Sequence, residues 1–389
     1  MKLNKILNKI LLIILLFTFA CGKTDFNKFI NNLESESDKN KKEKIINKFL
    51  SNNEIPIIED REAHFIYYGK AENVKLAGDI NGWNDSSINF LQVDGTNLFY
   101  YTMELNPFAR IDYKLIVNNK KWILDPLNPN TIRGGFGSNS ELAMSEYIQS
   151  KEIIYNKNIQ HGKIIEKIFE SKNTKKKYNI SIYLPPNYDK NECGKYPTIY
   201  FQDGAEYMEL GSAINILDNL IYKKLIQPAI AIFVTPTNRN EEYAFGDRDK
   251  YIKFFATELV SFIDNEFRTI QNADERIVIG DSYGANISAL IGYYYPKIFG
   301  NCGLHSPAFQ PNDFEVIKLY KSNKDIEINF YAVWGIYEPS IKKVMDRFIK
   351  ICKKNNSKID YKVYPEGHSW GLWRATTDEM LQYFIPYKK

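Results

Sequence analysis

Ser282 is the side chain in this sequence that is best placed to act as a nucleophile. It lies at the centre of residues 280–284 (GDSYG), after the apolar run 276–279 and before a helix-like segment. A sharp strand-to-helix turn leaves no room for side chains two residues either side of the serine, so glycine is needed at both positions. Gly280 and Gly284 meet that need, and the motif predicts a nucleophile elbow with Ser282 at its tip.

A serine hydroxyl is a weak nucleophile and needs a histidine to accept its proton. The chain has four histidines. His64 and His161 precede the predicted sheet, and His305 follows the elbow helix too early for the chain order serine, acid, histidine. His368 remains, on the turn 366–370 (EGHSW) after the last strand-like run. The sequence therefore predicts His368 as the general base.

A carboxylate is also needed to orient that histidine. Glu338 follows the strand-like run that ends at Val333, so it would project from the same edge of the sheet as Ser282. Asp346 is the competing candidate, although it lies inside a predicted helix where a solvated charge is ordinary. The sequence favours Glu338 and leaves Asp346 open.

The oxyanion of a tetrahedral intermediate needs two amide donors. One would be the amide of Tyr283, directly after the nucleophile, and the other would come from a loop after an earlier strand. That loop is residues 201–205 (FQDGA), in which Gly204 would turn the backbone inward so that the Ala205 amide faces the site. Asp203 would anchor the loop. This chemistry requires no metal and no cofactor.

Apolar strands alternate with helices after residue 150, a pattern typical of an α/β fold with a parallel sheet covered on both faces. Helices are predicted between the strands, notably over 251–267 and 340–353. The predicted strands are 180–184, 198–201, 229–234, 276–279, 328–333 and 361–364.

Residues 55–150 have a different pattern, with short strands and polar turns that predict a small all-β sandwich. The pair Asn118-Asn119 before residues 122–124 predicts a hairpin. The other predicted strands are 64–68, 74–77, 99–105 and 113–117. A chain of 389 residues is long for a single core, which agrees with two domains, 55–150 and 151–389.

The first twenty residues have the composition of an export signal. Three lysines precede an apolar run over 10–17 that is shorter than the ~20 residues needed to span a bilayer. Ala20 before Cys21 predicts a lipoprotein signal peptide over 1–20, with Cys21 acylated and the protein exported and held on a membrane by its lipid. An ordinary secretory signal or an uncleaved anchor is the alternative. Residues 21–54 predict two short helices on a polar tether.

Charge and cysteine content exclude several functional classes. The formal charge of +4 includes the three lysines of the signal, so the mature chain is near +1 and offers no reason to expect nucleic acid as a partner. With Cys21 acylated, the three other cysteines cannot all pair with one another, and no zinc-ligand spacing is present. The sequence gives no oligomeric state.

Residues 160–386 resemble the Putative esterase family, which includes enterochelin esterases, the feruloyl and acetylxylan esterases of carbohydrate esterase family 1, and mycolyltransferases. The resemblance implies an α/β-hydrolase fold, the triad Ser282, Glu338 and His368, and oxyanion amides from Ala205 and Tyr283. Residues 305–307 (HSP) depart from the small polar residues usual in the family. The matching stretches are 183–188 (YLPPNY), 196–204, Arg239 with Glu242-Tyr243, 258–269, 280–284, Tyr295-Pro296 with Phe299-Gly300, and Gly367-His368 with Trp370 and Trp373.

The all-β segment resembles the immunoglobulin-like early-set modules of carbohydrate-binding family 48. The similarity rests on residues 78–83 (GDINGW), Tyr113-Lys114, and Trp122 with Asp125-Pro126. In glucan-binding relatives the positions matching Trp83, Lys114 and Trp122 contact sugar, because an indole face stacks well on a pyranose ring. Core or interdomain packing is the alternative for these tryptophans.

These observations together predict a serine esterase that acts on a small-molecule or glycan ester, either a siderophore or a carbohydrate-linked acyl ester. Asp203, Arg239 and Tyr243 on strand-end loops, and Trp370 and Trp373 beside the histidine, are candidate substrate contacts. A structural salt bridge and an aromatic lid are the alternatives for these residues. Acyl transfer to a sugar acceptor, or a glycan-binding lipoprotein with an inactive hydrolase scaffold, would be the competing functions.

Overall fold

The structure is a computed structural model that describes residues 25–135, 137–190 and 193–388. The predicted signal peptide over 1–20 and its acylated Cys21 lie outside the described residues. Within the described ranges, no helix has both the length and the apolar character needed to cross a bilayer.

Two helices begin the described chain, α1 (Asp25–Ser35) and α2 (Lys39–Asn52). The Asp38 side chain caps α2 by accepting a hydrogen bond from the Lys41 amide, and the rings of Phe29 and Phe49 stack with centroids 3.7 Å apart. Both helices and residues 93–96 form a compact unit of their own. The two predicted helices therefore form a helical hairpin, in which α1 buries Phe26, Phe29, Ile30 and Leu33.

The all-β segment forms two sheets. Strand order is β1-β2-β6-β5 in the first and β4-β3-β7-β10-β9 in the second, with β8 paired to β7. The strands are β1 (Ile57–Glu59), β2 (Glu62–Tyr68), β3 (Val74–Gly78), β4 (Ile88–Asn89), β5 (Leu91–Gln92), β6 (Leu98–Glu104), β7 (Arg110–Val117), β8 (Lys121–Ile123), β9 (Thr131–Gly134) and β10 (Gly137–Ala143).

A single apolar cluster fills the space between these sheets. It contains Phe65, Leu76, Phe99, Ile111 and Leu115, all 2% exposed or less. Alternate residues of each strand point to opposite faces, so every second residue of β2, β3 and β7 reaches this cluster. The hairpin predicted at Asn118-Asn119 is the β7–β8 connection, and both asparagines adopt positive φ. The prediction of an all-β segment before an α/β part is confirmed.

The remainder of the chain contains an eight-stranded sheet of order β11-β12-β14-β13-β15-β16-β17-β18. The pairs β11/β12 and β12/β14 are antiparallel, and all later pairs are parallel. The strands are β11 (Lys163–Glu170), β12 (Lys177–Leu184), β13 (Thr198–Phe201), β14 (Ile230–Thr235), β15 (Arg276–Asp281), β16 (Asn301–His305), β17 (Asn329–Gly335) and β18 (Lys358–Tyr364).

Helices cover both faces of this sheet, as the alternating pattern predicted. Successive side chains of one strand enter opposite cores, with Val278 in one apolar cluster and Ile277 and Ile279 in the other. The helix predicted over 251–267 is present but contains a π-helical segment at Phe254–Leu259. The helices are α3 (Gly204–Glu209), α4 (Ala213–Tyr222), α5 (Arg239–Tyr243), α6 (Arg248–Lys253), α7 (Val260–Glu266), α8 (Tyr283–Tyr294), α9 (Pro311–Ser322), α10 (Pro339–Cys352) and α11 (Trp370–Phe384).

Two strands of the large sheet were not predicted. Strand β11 (KIIEKIFE) is an edge strand whose side chains are mostly exposed, so charged residues interrupt its apolar pattern. Strand β16 (NCGLH) is fully buried but carries asparagine, glycine and histidine, which are uncommon in a central strand. Tertiary packing overrides local propensity in β16, because its neighbours β15 and β17 supply the pairing on both sides.

Candidate active site

Ser282, His368 and Glu338 meet at the carboxyl edge of the parallel strands. The Ser282 Oγ lies 3.0 Å from His368 Nε2, and His368 Nδ1 lies 2.6 Å from Glu338 Oε1. A carboxylate only accepts, so Nδ1–H donates to Glu338 and the neutral imidazole leaves Nε2 free to accept the serine proton. This is the geometry of a serine nucleophile, its general base and the acid that orients the base.

The turn that carries Ser282 is the sharp strand-to-helix turn that the motif predicted. Ser282 has φ 52° and ψ −116°, between the end of β15 and the start of α8. A Cβ on Gly280 would lie 2.2 Å from the backbone carbonyl carbon of Gly284, and one on Gly284 would lie 3.0 Å from the Asp203 carboxylate. Close approach of the backbone therefore requires glycine at position 280, whereas a larger residue at position 284 would press on the Asp203 side chain.

Glu338 rather than Asp346 contacts His368. Glu338 is 5% exposed, and its Oε2 accepts hydrogen bonds from the Gly335 amide and from Ser306 Oγ, the latter at 2.9 Å. Asp346 lies on the surface of α10 in an ion pair with Lys342. With Oε2 occupied by two donors, Oε1 is the oxygen turned to the imidazole.

His305 is a residue of the buried core and does not contact Ser282 or His368 through its side chain. It is fully buried, Tyr207 Oη lies 2.8 Å from its Nδ1, and Thr376 Oγ1 lies 3.2 Å from its Nε2. Burial lowers the pKa of His305 to about 3, so the ring is neutral at physiological pH. The next residue, Ser306, donates to Glu338 and accepts from Trp373 Nε1 at 3.0 Å, so one of the unusual residues 305–307 supports Glu338.

The two predicted oxyanion donors lie in the first turns of helices that follow adjacent parallel strands. Ala205 is the second residue of α3, after β13, and Tyr283 is the first residue of α8, after β15. First-turn amides have no acceptor within their own helix, which leaves them available to an anion. The predicted role of Gly204 is wrong in one respect. The turn is made at Asp203, whose φ is 51°, whereas Gly204 is needed because a Cβ would meet the backbone of Phe233 at 2.4 Å.

Arg239 joins the two loops that carry these amides. Its Nε and Nη2 donate to the two carboxylate oxygens of Asp203 at 2.9 and 2.7 Å, and Nη2 lies 3.4 Å from the Asp281 carboxylate. Tyr243 is fully buried, and its hydroxyl accepts from the Asp203 amide. Tyr243 therefore supports the loop from the buried side and does not line the cavity next to Ser282. The charged groups of Asp203 and Arg239 are paired with each other.

Asp281 is a buried carboxyl next to the nucleophile. Burial, followed by the nearby Asp203 carboxylate, raises its pKa well above the usual range, and Arg239 only partly offsets this. The folded chain therefore keeps a proton that the unfolded chain releases near pH 4, and the free energy of unfolding falls as pH rises above that value.

We expect the variant Asp281→Asn to lose this pH dependence, because an amide matches a protonated carboxyl and cannot ionise. Its free energy of unfolding, measured by urea denaturation, should decline less than that of the wild type between pH 5 and pH 9. The exposed Asp325→Asn is the matched control and should follow the wild type. Equal slopes for wild type and Asp281→Asn would contradict a protonated Asp281.

Ser282 and His368 line a cavity of about 710 Å³. Trp370 and Trp373, each 5% exposed, form its wall beside His368, with Trp370 packed edge-on against Tyr207. The described residues contain no cluster of three or more histidine, cysteine, aspartate or glutamate side chains suited to a metal ion.

Trp83, Lys114 and Trp122 of the β-sandwich line the same cavity as Ser282. Trp122 is 44% exposed, Trp83 is half-buried, and neither indole belongs to the apolar cluster of the sandwich. Interdomain packing alone does not account for them, because their surfaces remain open to the cavity. The sandwich is therefore a second wall of the candidate active site.

Several residues of the site were not predicted. Asp112 and Asn139 of the sandwich, and Glu206 and Asn240 of the hydrolase part, also line the cavity. Burial and the neighbouring Asp203 raise the pKa of Glu206. Glu206 and Asn240 could have been indicated by their closeness in sequence to the strand-end loops at 203 and 239, and Asp112 by its place before Tyr113-Lys114. No motif surrounds Asn139.

A family model described as Putative esterase matches residues 171–353. The Bacillus subtilis strain 168 protein YjcH, described as uncharacterized, is 31% identical over 239 residues, which are 57% of this chain and 98% of that protein. An endo-1,4-beta-xylanase/feruloyl esterase of Xylanibacter ruminicola is 28% identical over 244 residues, which are 59% of this chain and 32% of that protein.

Solved structures have the same fold. The enterobactin esterase of Shigella flexneri, crystallised in the presence of enterobactin, has a TM-score of 0.71 at 18% identity and covers 84% of this chain and 94% of its own. A ferulic acid esterase has a TM-score of 0.52 at 17% identity over 58% of this chain and 99% of its own. Together with the family model and the near-complete match to YjcH, the site geometry leads to one conclusion: the chain belongs to the Putative esterase family and is a carboxylic ester hydrolase.

Proposed function

We propose that this chain is a serine esterase in which Ser282 is the nucleophile, His368 the general base and acid, and Glu338 the residue that orients the imidazole. The observation that carries the proposal is the unbroken line of contacts from Ser282 Oγ through His368 to Glu338, which opens on a cavity large enough for a substrate. Each of the three side chains has the partner that its role requires.

The reaction follows from these contacts. Ser282 Oγ attacks the ester carbonyl carbon while its proton passes to His368 Nε2, and the amides of Ala205 and Tyr283 donate to the oxyanion. The carbon–oxygen bond to the alcohol then breaks, and His368 returns the proton to the leaving oxygen. Water attacks the acyl-enzyme in the same way, with His368 as base, and releases the acid.

We propose a neutral, carbohydrate-linked acyl ester as the substrate. Five aromatic side chains line the cavity, which suits an aromatic acyl group or the face of a sugar ring: Trp83, Trp122, Tyr283, Trp370 and Trp373.

The charges of the cavity also favour a neutral substrate. Three carboxyl side chains, Asp112, Asp203 and Glu206, line it against the two basic side chains of Lys114 and Arg239. Asp281 also lines it but keeps its proton, so it adds no charge. Arg239 is already paired with Asp203. A ferric tris-catecholate is an anion and needs basic groups with free donors, so the charge balance of this cavity disfavours a siderophore.

Parallel hydrolysis assays test the substrate class. Wild type and Ser282→Ala would be assayed on p-nitrophenyl acetate, a feruloylated sugar and ferric enterochelin. We expect serine-dependent turnover of the small ester and the sugar ester, with kcat/KM for the sugar ester well above that for the ferric siderophore. A preference for ferric enterochelin would contradict the substrate class. Transfer of the acyl group to an added sugar would identify an acyltransferase.

The sandwich wall should contribute to binding of the alcohol part of a large ester. We expect Trp122→Ala to raise KM for the feruloylated sugar about fivefold to tenfold with little change in kcat, since stacking on one aromatic ring is worth about 1 to 1.5 kcal/mol. KM for p-nitrophenyl acetate should not change, because so small a substrate does not reach this wall.

The matched control for this variant is Phe108→Ala. Phe108 is also an exposed aromatic residue of the sandwich segment, at 53%, but it does not line the cavity. An equal rise of KM in both variants, or none in Trp122→Ala, would show that the sandwich wall does not contact the substrate.

A further inference from the structure

A buried arginine of the β-sandwich lies directly against the turn that carries His368. Arg110 is the first residue of β7 and is fully buried. Its amide donates to the Pro365 carbonyl at 3.2 Å, and its Nη1 donates to Ser369 Oγ at 3.2 Å. One residue of the sandwich thus holds the turn on both sides of His368.

Every nitrogen of the Arg110 guanidinium has a partner. Nε pairs with Glu141, Nη2 donates to Asp112 Oδ1 at 2.6 Å, and Nη1 lies 3.6 Å from Glu366 Oε2 in addition to its bond with Ser369. A guanidinium is a rigid planar fork, so these partners fix its orientation in the interface. Burial alone would lower the pKa of Arg110, but these carboxylates raise it, so the group is charged.

Two glycines of the histidine segment allow the sandwich to approach this closely. A Cβ on Gly367 would lie 2.2 Å from Asp79 Cγ, and one on Gly371 would lie 1.9 Å from Arg110 Nη1. Both residues flank His368 closely in sequence, and both are in contact with charged side chains of the sandwich. A larger residue at either position would therefore push the sandwich and the histidine segment apart.

Asp112 and Asp79 also form hydrogen bonds with residues that line the cavity. Asp112, the partner of Arg110, accepts from Asn139 at 3.0 Å, and Asp79 accepts from the Asp112 amide and from Trp83 Nε1. Trp83, Asp112 and Asn139 all line the cavity. Side chains that face the substrate therefore share hydrogen-bond partners with those that hold the histidine turn.

We propose that Arg110 is a positioning residue for the esterase reaction: it holds the His368 turn so that Nε2 faces Ser282, and the sandwich is thereby part of the catalytic apparatus as well as of substrate binding. The inference rests on the proposed roles of Ser282 and His368. An arginine that only held the two parts of the chain together would contribute to stability, but not to the reactivity of the serine in the folded molecules.

The kinetics of serine phosphonylation separate these two roles. A fluorophosphonate would be used to titrate wild type, Arg110→Met, Arg110→Lys and the control Arg61→Met, with kcat and KM on p-nitrophenyl acetate measured beside it. Arg61 is the matched control because it is another sandwich arginine in an ion pair, with Glu104, but is exposed. The rate constant reports the activation of Ser282, and the labelled fraction reports how much protein is folded.

For Arg110→Met we expect the phosphonylation rate constant and kcat to fall together by at least about tenfold, since displacement of a catalytic group by about 1 Å costs up to ~100-fold. KM should change less than about twofold, and the labelled fraction should stay near that of the wild type. Arg110→Lys keeps the positive charge but lacks the planar guanidinium, so its rate constant and kcat should lie between those of the wild type and of Arg110→Met. Arg61→Met should match the wild type in every readout.

A reduced labelled fraction with an unchanged rate constant for Arg110→Met would overturn the proposal, because the arginine would then act on stability alone. Should Arg110→Met not fold, Ser369→Ala removes one of the same contacts. A lowered rate constant in that variant supports the proposal and an unchanged one overturns it. A wild-type chain that takes no label at Ser282 would instead contradict the proposed function itself.

Discussion

Replacement of Ser282 by alanine is expected to lower kcat for every ester substrate by about 10⁴- to 10⁶-fold while KM changes little. The hydroxyl is the only group at the tip of the elbow that can form the acyl-enzyme, and it is 3.0 Å from the base that would activate it. Residual turnover would come from the oxyanion amides and substrate binding alone. The measurement is kcat and KM on p-nitrophenyl acetate, with thermal unfolding of the same preparation.

The matched control is Ser322→Ala. Ser322 ends α9 and is exposed, so its loss should leave kcat unchanged. Because alanine is no larger than serine, the unfolding temperature of Ser282→Ala should stay close to that of the wild type. Activity within tenfold of the wild type in Ser282→Ala would mean that another group attacks the ester.

Replacement of Glu338 by glutamine is expected to lower kcat by about 10⁴-fold, although the two side chains have nearly the same shape. Two donors, the Gly335 amide and Ser306 Oγ, meet Oε2 of Glu338. In the variant they would hold the amide oxygen there, so the amide nitrogen would face His368 Nδ1. Nδ1 would then have to accept, Nε2 would carry the proton, and the imidazole could no longer take the proton of Ser282.

The competing acid supplies the control for this prediction. Asp346→Asn changes a surface charge of α10 that is paired only with Lys342 among the described contacts, and it should leave kcat unchanged. Glu338→Gln with kcat within tenfold of the wild type, or a large loss in Asp346→Asn, would contradict Glu338 as the triad acid.

The central strands of the α/β sheet could be predicted from the sequence because their apolar runs are continuous. Strands β13 and β15 begin where predicted, at Thr198 and Arg276, and their carboxyl ends carry the oxyanion loop and the elbow. Strand β16 could not be predicted, because its pairing comes from neighbours that are distant in sequence. Local patterns do not report such contacts.

The contact between Ser282 and His368 could be predicted because so few residues were eligible. The motif fixed the serine, and only four histidines were available. The acid that contacts His368 was harder to predict, since Glu338 and Asp346 lie within eight positions of each other. Only the three-dimensional structure shows that Glu338 is a buried carboxylate at a strand end and Asp346 an exposed one on a helix.

Sequence patterns could not predict that the sandwich contacts the candidate active site. The contact between Arg110 and Ser369 joins residues 259 positions apart, and no motif of the sequence contains Arg110. The sandwich residues Trp83, Lys114 and Trp122 were singled out for sugar contact by resemblance, but nothing in the sequence indicated that they face the same cavity as Ser282.

The most direct test of the central claim is covalent labelling with a fluorophosphonate, followed by peptide mapping by mass spectrometry. We predict a single phosphonyl adduct on Ser282 in the wild-type chain, no adduct in Ser282→Ala, and labelling that is strongly slowed in His368→Ala, where the base is missing. An adduct on a different residue, or labelling of Ser282 at the wild-type rate without His368, would contradict a serine esterase activated by this histidine.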